Sequence, residues 1–360
     1  DSLSGGDGDD ELWGEGGNDV LNGGGGNDRI IADRGGNVDG VIDAGSGNDQ
    51  VEVHDIGGTS FVYLGDGDDS LSVQYQYSEA LGGGGSDVFY LHDATGIFRG
   101  ETGNDVFFVN FSFGINNPNL FIYAGDDDDT LNVGSLDGGS VTADLGSGND
   151  VVNINLAPNL DPFFNSNGPN ILTLGEGRDT VNLTAWNNST ALTITDFATG
   201  AAGDRLDITT ILNNNLIGWD GDANPFGDTA FLRLLQDGAD TLLQVDRDGA
   251  ADTANSFITL VRFENTLAGN FTTDNVTPPF PLDGSAPVGI TLDGTPGDDP
   301  DLVGTLGADT INGFAGNDTI RGDSGSDVID AGDGNDVVYG GSGDDALTGG
   351  LGNDTLNGEI

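Results

Sequence analysis

Residues 304–357 read, in blocks of nine, GTLGADTIN, GFAGNDTIR, GDSGSDVID, AGDGNDVVY, GGSGDDALT and GGLGNDTLN. Aspartate recurs at every ninth position, as Asp309, Asp318, Asp327, Asp336, Asp345 and Asp354. Two residues after each stands an aliphatic: Ile311, Ile320, Ile329, Val338, Leu347 and Leu356. A flexible Gly/Asp linker has no reason to hold an aliphatic in fixed phase, so the stretch is a structural repeat.

The spelling of each block follows from chemistry. Its first six residues form a turn, in which glycine permits positive φ and close approach of carbonyl groups. Aspartate adds a hard carboxylate oxygen, and the two donor types together suit an oxygen-seeking cation, Ca²⁺ above all. The last three residues form a short strand whose eighth position points inward, stacking the aliphatics into a core. Two blocks make one coil of a parallel β-roll. Turns eighteen residues apart then lie on the same edge, with an ion expected between them.

The pattern G-G-x-G-x-D-x-U-x resembles the nonapeptide of the repeats-in-toxin (RTX) family. That resemblance implies an all-β fold of right-handed parallel β-roll (β-solenoid) segments, several bound Ca²⁺ ions and secretion. Composition agrees. The net charge is -52, every one of the nine basic residues is arginine, and glutamate is confined to eight positions. A merely solvating acidic surface would not prefer the shorter acid so strongly. This charge excludes nucleic acid and anionic membrane as expected partners. Cysteine is absent, so no disulfide framework exists. The sequence shows no signal peptide and no long apolar run, which fits an extracellular protein exported by another route.

The same motif opens the chain. Residues 1–31 carry Asp10, Asp19 and Asp28, followed by Leu12, Leu21 and Ile30, and Asp1 with Leu3 fits the preceding register. Gly358-Glu359-Ile360 fits the start of a further repeat. From residue 32 the spacing widens. After a degenerate turn at Asp39, full motifs recur with Asp49, Asp69, Asp87, Asp105, Asp129, Asp150 and Asp179, at steps of 20, 18, 18, 24, 21 and 29. These steps place the turns on one edge and longer loops, such as 116–119 and 158–169, on the other. One calcium ladder is therefore expected across 49–183, and two in 304–357.

Phase also assigns faces. Val51, Leu71, Phe89, Phe107, Leu131, Val152 and Val181 form the inward column. Glu52, Ser72, Tyr90, Phe108, Asn132, Asn153 and Asn182 form the outward one. The asparagines are placed to stack as amides. Tyr90 and Phe108 mark either a contact surface or a patch covered by a loop.

Residues 190–275 break the period. LTITDFATGAAGDRLDITTIL precedes a strand pair, FLRLLQDGADTLLQVDRDG, and then FITLVRFEN. The first part resembles the segment that follows the repeats in serralysin-type proteases. The whole resembles the C-terminal target domain of type I secreted RTX proteins, here internal rather than terminal. Four prolines in 276–292 indicate a linker. Asp299 then begins the second roll, ten residues before Asp309. The expected organisation is a first roll over 1–189, a β-rich capping domain over 190–275, the linker, and a second roll over 293–360.

Other chemistry is weaker. Gly322-Asp323-Ser324-Gly325 matches a serine-protease nucleophile segment but lies in repeat phase, without a suitable histidine. His54 and His92 lack enough neighbouring ligands for zinc. Asp246, Asp248 and Asp252, with Asp237 and Asp240 near in sequence, could hold an extra ion, and Asp220, Asp222 and Asn224 make a D-x-D-x-N pattern. The sequence points to a non-catalytic calcium-folded structural protein, part of a polymer, stalk, adhesin or layer that self-associates, with no small-molecule substrate. The alternative is the C-terminal module of a secreted enzyme.

Overall fold

The computed structural model describes residues 1–15, 17–32, 40–54, 59–74, 77–111, 119–136, 139–155, 170–185, 191–219, 221, 223–227, 231–249 and 256–358. The chain forms two compact units. One comprises Asp1–Ile211, Leu235–Leu243 and Thr259–Asn275, the other Leu212–Leu234, Gln244–Ile258 and Val276–Ile360.

The first unit is a parallel β-solenoid of two sheets. Strands Ser2–Asp7, Val20–Gly25, Gly40–Ser46, Thr59–Asp66, Tyr77–Gly84, Thr95–Thr102, Asn119–Asp126, Ser140–Ser147, Asn170–Thr173 and Leu192–Ile194 pair in that order in one sheet. Strands Glu11–Glu15, Arg29–Ala32, Gln50–His54, Ser70–Gln74, Val88–His92, Val106–Phe111, Thr130–Leu136, Val151–Asn155, Thr180–Ala185 and Arg205–Asp207 pair in the other. Each coil thus gives one strand to each sheet. The roll continues past residue 189, and Ile258–Phe263 adds to the first sheet beside Leu192–Ile194.

The two edges of the roll differ. On one, the connection keeps a constant three residues through the first eight coils, as in 8–10, 47–49 and 148–150. On the other it ranges from residues 93–94 up to residues 156–169. Asp39 and the prolines of the two loops singled out in the sequence lie outside the described residues. Length variation confined to one edge leaves the register of the other intact.

Most strands here exceed the three residues the repeat requires. The glycine-rich start of each turn is itself paired across coils, Gly65 with Gly83 and Gly83 with Glu101. Gly83 shows why glycine is needed. Its φ is +108°, and a β-carbon there would run into the carbonyl oxygen of Gly65.

The inward column is Val51, Leu71, Phe89, Phe107, Leu131, Val152 and Val181, all fully buried. Phe89 stacks on Phe107 with ring centroids 4.6 Å apart and meets Phe98 edge-on at 6.5 Å. Outward, Asn182 donates to Asn153 at 2.7 Å and Asn153 to Asn132 at 2.9 Å, the expected amide stack. Tyr90 and Phe108 stack on each other at 5.2 Å and stand exposed.

In the second unit, strands Thr291–Asp293, Thr310–Asn312, Val328–Asp330 and Ala346–Thr348 form one sheet. Leu302–Val303, Thr319–Arg321, Val337–Tyr339 and Thr355–Asn357 form its counterpart. Ile311, Ile320, Ile329, Ala331 and Val338 fill the space between them. These strands have the length that uninterrupted nonapeptides dictate.

Candidate metal centres

The motif aspartates of the first unit form a single hydrogen-bonded ladder. The backbone N–H of Asp10 donates to Oδ1 of Asp28, Asp28 to Asp49, Asp49 to Asp69 and Asp69 to Asp87. Asp87 donates to Asp105, Asp105 to Asp129, Asp129 to Asp150 and Asp150 to Asp179. Each of these bonds is 2.7–2.8 Å or 2.9 Å long. One carboxylate oxygen is thereby fixed between coils.

The other oxygen is left over. Oδ2 of Asp10, Asp28, Asp49, Asp69, Asp87, Asp105, Asp129, Asp150 and Asp179 is buried without a hydrogen-bond partner. Such groups are costly and rare in native folds, so nine in line require an account. At Asp10, Asp28, Asp87 and Asp105 that oxygen faces a cradle lacking a side chain. A β-carbon placed on Gly5 would lie 2.5 Å from Oδ2 of Asp10 and 2.7 Å from the carbonyl oxygen of Gly23 on the next coil. Gly23 stands likewise against Asp28 and the Ala44 carbonyl, Gly82 against Asp87 and the Gly100 carbonyl, and Gly100 against Asp105 and the Ala124 carbonyl. Carboxylate and carbonyl oxygens from successive coils converge there. This donor set is all oxygen and fits a hard cation such as Ca²⁺.

Electrostatics agrees. Burial pushes the carboxyls of Asp87 and Asp129 up to about 8, Asp179 to about 7, and Asp69, Asp105 and Asp150 to about 6. The N–H bond from the preceding aspartate opposes this, and neighbouring carboxylates add to it. Burial also raises Asp49. These side chains resist carrying charge without a counter-ion.

The ladder has one further rung that the motif search missed. Asp179 N–H donates to Oδ1 of Asp204, and Arg205 N–H to the Asp179 carbonyl. Asp204 and Leu206 keep the sixth and eighth positions of the repeat, but Thr199 and Ala202 replace its first- and fourth-position glycines. Here the free oxygen is taken: Oδ2 of Asp204 accepts from Ala198 N–H at 2.7 Å. A second, exposed ladder also went unread, from the residue before each motif aspartate. Asn27 N–H donates to Asp9, Asn48 to Asn27, Asp68 to Asn48 and Ser86 to Asp68. The recurring Asn/Asp at that position was its signal.

On the opposite edge, Asp19 is buried, and Val41 N–H donates to its carbonyl. The second unit has ladders on both edges. Asp299 donates to Asp318, Asp318 to Asp336 and Asp336 to Asp354, while Asp309 donates to Asp327 and Asp327 to Asp345. Oδ2 of Asp318, Asp336 and Asp345 has no hydrogen-bond partner. At the lead-in turns a threonine fills the place. Thr295 donates its N–H and hydroxyl to Asp299, and Thr305 does the same to Asp309.

Apart from Asp246 and Asp248, the other candidates do not assemble into sites. Ser324 Oγ sits 3.0 Å from Ser342 Oγ one coil on, within the repeat stack. His54 faces Glu52 at 3.5 Å and His92 faces Asp93 at 3.3 Å. Asp237 and Asp240 both lie against Arg262. Asp55, Asp220, Asp222 and Asp252 lie outside the described residues. Among the described residues no three His, Cys, Asp or Glu side chains gather as a metal cluster, so carbonyl oxygens must complete any shell. No helix among them is long and apolar enough to cross a membrane.

A family model described as the RTX calcium-binding nonapeptide repeat (4 copies) matches residues 1–30, 293–329 and 321–356. These stretches are RTX calcium-binding repeats. Multiple Ca²⁺ ions are accordingly the cofactor of this parallel β-solenoid. No curated protein matches the chain. Among solved structures it is similar to a hyperactive, Ca²⁺-dependent, β-helical antifreeze protein from an Antarctic bacterium. Identity is 17%, with 97% of this chain and 83% of that one covered, at a TM-score of 0.28. The RTX motif is most regular where the family model matches. The central turns, with Ala44, Leu64, Ala124, Leu145 and Leu174 in place of the opening glycine, keep the same ladder.

Proposed function

We propose that this chain is a segment of an extracellular structural protein, and that Ca²⁺ ions held along its aspartate ladders fold it. The supporting observation is the line of nine buried Oδ2 atoms without partners, which the glycine turns at Asp10, Asp28, Asp87 and Asp105 set beside a carbonyl oxygen of the next coil. In this reading Asp10, Asp28, Asp49, Asp69, Asp87, Asp105, Asp129, Asp150 and Asp179 hold ions along one edge, and Asp19 belongs to the other. Asp318, Asp327, Asp336, Asp345 and Asp354 hold them in the second unit. Bound Ca²⁺ supplies the positive charge that buried carboxylates lack, and the protein fixes the oxygens around it.

Function follows from the coupling of ion to fold. At a net charge of -52 the metal-free chain repels itself and stays extended, which suits passage through a narrow export channel. Outside the cell, calcium fills sites of the roughly 10⁻⁴–10⁻³ M affinity usual for extracellular modules, and each coil templates the next. Residues 190–211, with 235–243 and 259–275, close the first roll, and the resemblance of 190–275 to type I target domains supports that export route. The role is structural rather than catalytic. Exposed, stacked Tyr90 and Phe108 serve lateral contact between copies in a filament or layer.

The test is circular dichroism and hydrodynamic radius in chelator, then with added Ca²⁺ or Mg²⁺. The expected result is an expanded coil that gains β-structure and compacts with Ca²⁺ but not with equal Mg²⁺. A chain that stays compact in chelator at neutral pH contradicts the proposal. For assembly, electron microscopy with calcium should show ordered lateral packing that Tyr90→Ser with Phe108→Ser abolishes. Monodisperse monomers at saturating calcium would end the assembly reading.

A further inference from the structure

Outside the repeats, the second unit contains a carboxylate pair that the ladders do not explain. Strand Asp240–Val245 ends in Asp246-Arg247-Asp248-Gly249. Asp246 N–H donates to the Phe231 carbonyl at 2.7 Å, and its own carbonyl accepts from Gly249 N–H at 3.3 Å. Gly249 has φ +71°, a left-handed turn that folds Asp248 back over Asp246.

Asp246 is 3% exposed, and its Oδ1 has no hydrogen-bond partner. Burial raises its carboxyl pKa, and a side-chain hydrogen bond with Asp248 raises it further, so the two carboxyl groups touch. Arg233 opposes that rise through its charge while making contacts of its own. Its Nε donates to Gln244 at 2.9 Å, and its guanidinium lies 3.9 Å over the ring of Phe257. A buried carboxyl group in contact with a half-buried one is stabilised by a shared proton or by a cation between them. With only oxygen donors at the turn, a cation here would be hard: calcium rather than zinc or copper.

We propose that Asp246 and Asp248 hold a divalent, oxygen-seeking cation of the calcium class, at a site separate from the aspartate ladders and outside the nonapeptide repeats. This ion would pin the turn after Asp240–Val245 to Phe231 and to the Ile217 segment, whose N–H donates to the Arg247 carbonyl.

The experiment uses the whole chain and counts Ca²⁺ per molecule by equilibrium dialysis, for wild type, Asp246→Asn and Asp248→Asn. Terbium luminescence excited through tryptophan is read in parallel. Trp219 lies two residues from Ile217, and Trp219→Phe identifies its share of the signal. The expected result is one Ca²⁺ fewer in each aspartate variant, loss of the Trp219-dependent luminescence, and unchanged β-roll circular dichroism. Should Asp246→Asn fail to fold, the less buried Asp248→Asn carries the same comparison. An unchanged count in the folded variants overturns the proposal, as does a shared proton, revealed by Asp246→Asn raising the thermal midpoint in chelator without altering the count. The difference of one ion is independent of ladder occupancy, so failure of the ladder reading would appear separately, as a low wild-type total.

Discussion

Raising the pH of the chelated protein should unfold the roll, and the size of the effect can be worked from the ladder. Burial lifts Asp87 and Asp129 to about 8, Asp179 to about 7, and Asp69, Asp105 and Asp150 to about 6. In the unfolded chain an aspartate titrates near 3.9, about four units below the first two. A folded-state pKa raised above the unfolded one means that the folded form binds protons the unfolded form has released. The metal-free fold is therefore favoured near pH 4 and loses stability progressively as pH rises to 8. At about 1.4 kcal/mol per unit, ionising Asp87 alone costs about 5–6 kcal/mol by pH 8 and above. That rivals the whole stability of many domains, about 5–15 kcal/mol. Calcium should reverse the trend, since it stabilises the ionised carboxylates. The assay is thermal unfolding by circular dichroism at pH 4.5, 6, 7 and 8.5, in chelator and in millimolar CaCl₂. We expect the chelated protein to hold β-structure only at the acid end. With calcium the midpoint should be highest at neutral to alkaline pH and fall in acid as protons compete. A chelated protein equally stable at pH 4.5 and 8.5 would refute the reasoning.

Three substitutions probe the rest of the structure. Phe107→Ala removes a fully buried ring stacked 4.6 Å from Phe89 and should cost about 3–5 kcal/mol in calcium, read as a lowered thermal midpoint. Gly83→Ala puts a β-carbon at φ +108° against the Gly65 carbonyl, so coils should separate locally, seen as lost hydrogen-exchange protection around residues 65–83. Thr305→Gly completes the opening glycine pair of its turn, removes the hydroxyl bonded to Asp309 and permits the positive φ that Gly83 adopts at the same position, which would turn the backbone N–H off Asp309, so it should raise the calcium count by one in equilibrium dialysis.

How far the sequence was legible depended on phase. Wherever the nonapeptide motif recurred, it assigned both the inward column from Val51 to Val181 and the ladder from Asp10 to Asp179, because its fixed internal spacing leaves each side chain one face. Departures from the period hid the rest. Asp204 lacks the first- and fourth-position glycines, so its place on the ladder became visible only through the Asp179 N–H that donates to it. The threonines at 295 and 305 replace the second glycine of the motif, and their hold on Asp299 and Asp309 needed coordinates to see. The longer strands of the first unit put Phe61, Tyr63, Phe121 and Tyr123 on the exposed face of the first sheet, outside the nonapeptide register. Asp237 and Asp240 were grouped with Asp246 by proximity in sequence, whereas strand pairing turned them to Arg262.

The most direct test of calcium in the ladders is an anomalous difference map from crystals grown in CaCl₂. A peak is expected beside each free Oδ2 from Asp10 to Asp179 along one edge of the first unit, and beside Asp318, Asp327, Asp336, Asp345 and Asp354 in the second. No peak is expected at Asp204, Asp299 or Asp309, whose oxygens the chain itself occupies. Folded coils with those cradles holding only water would contradict the account.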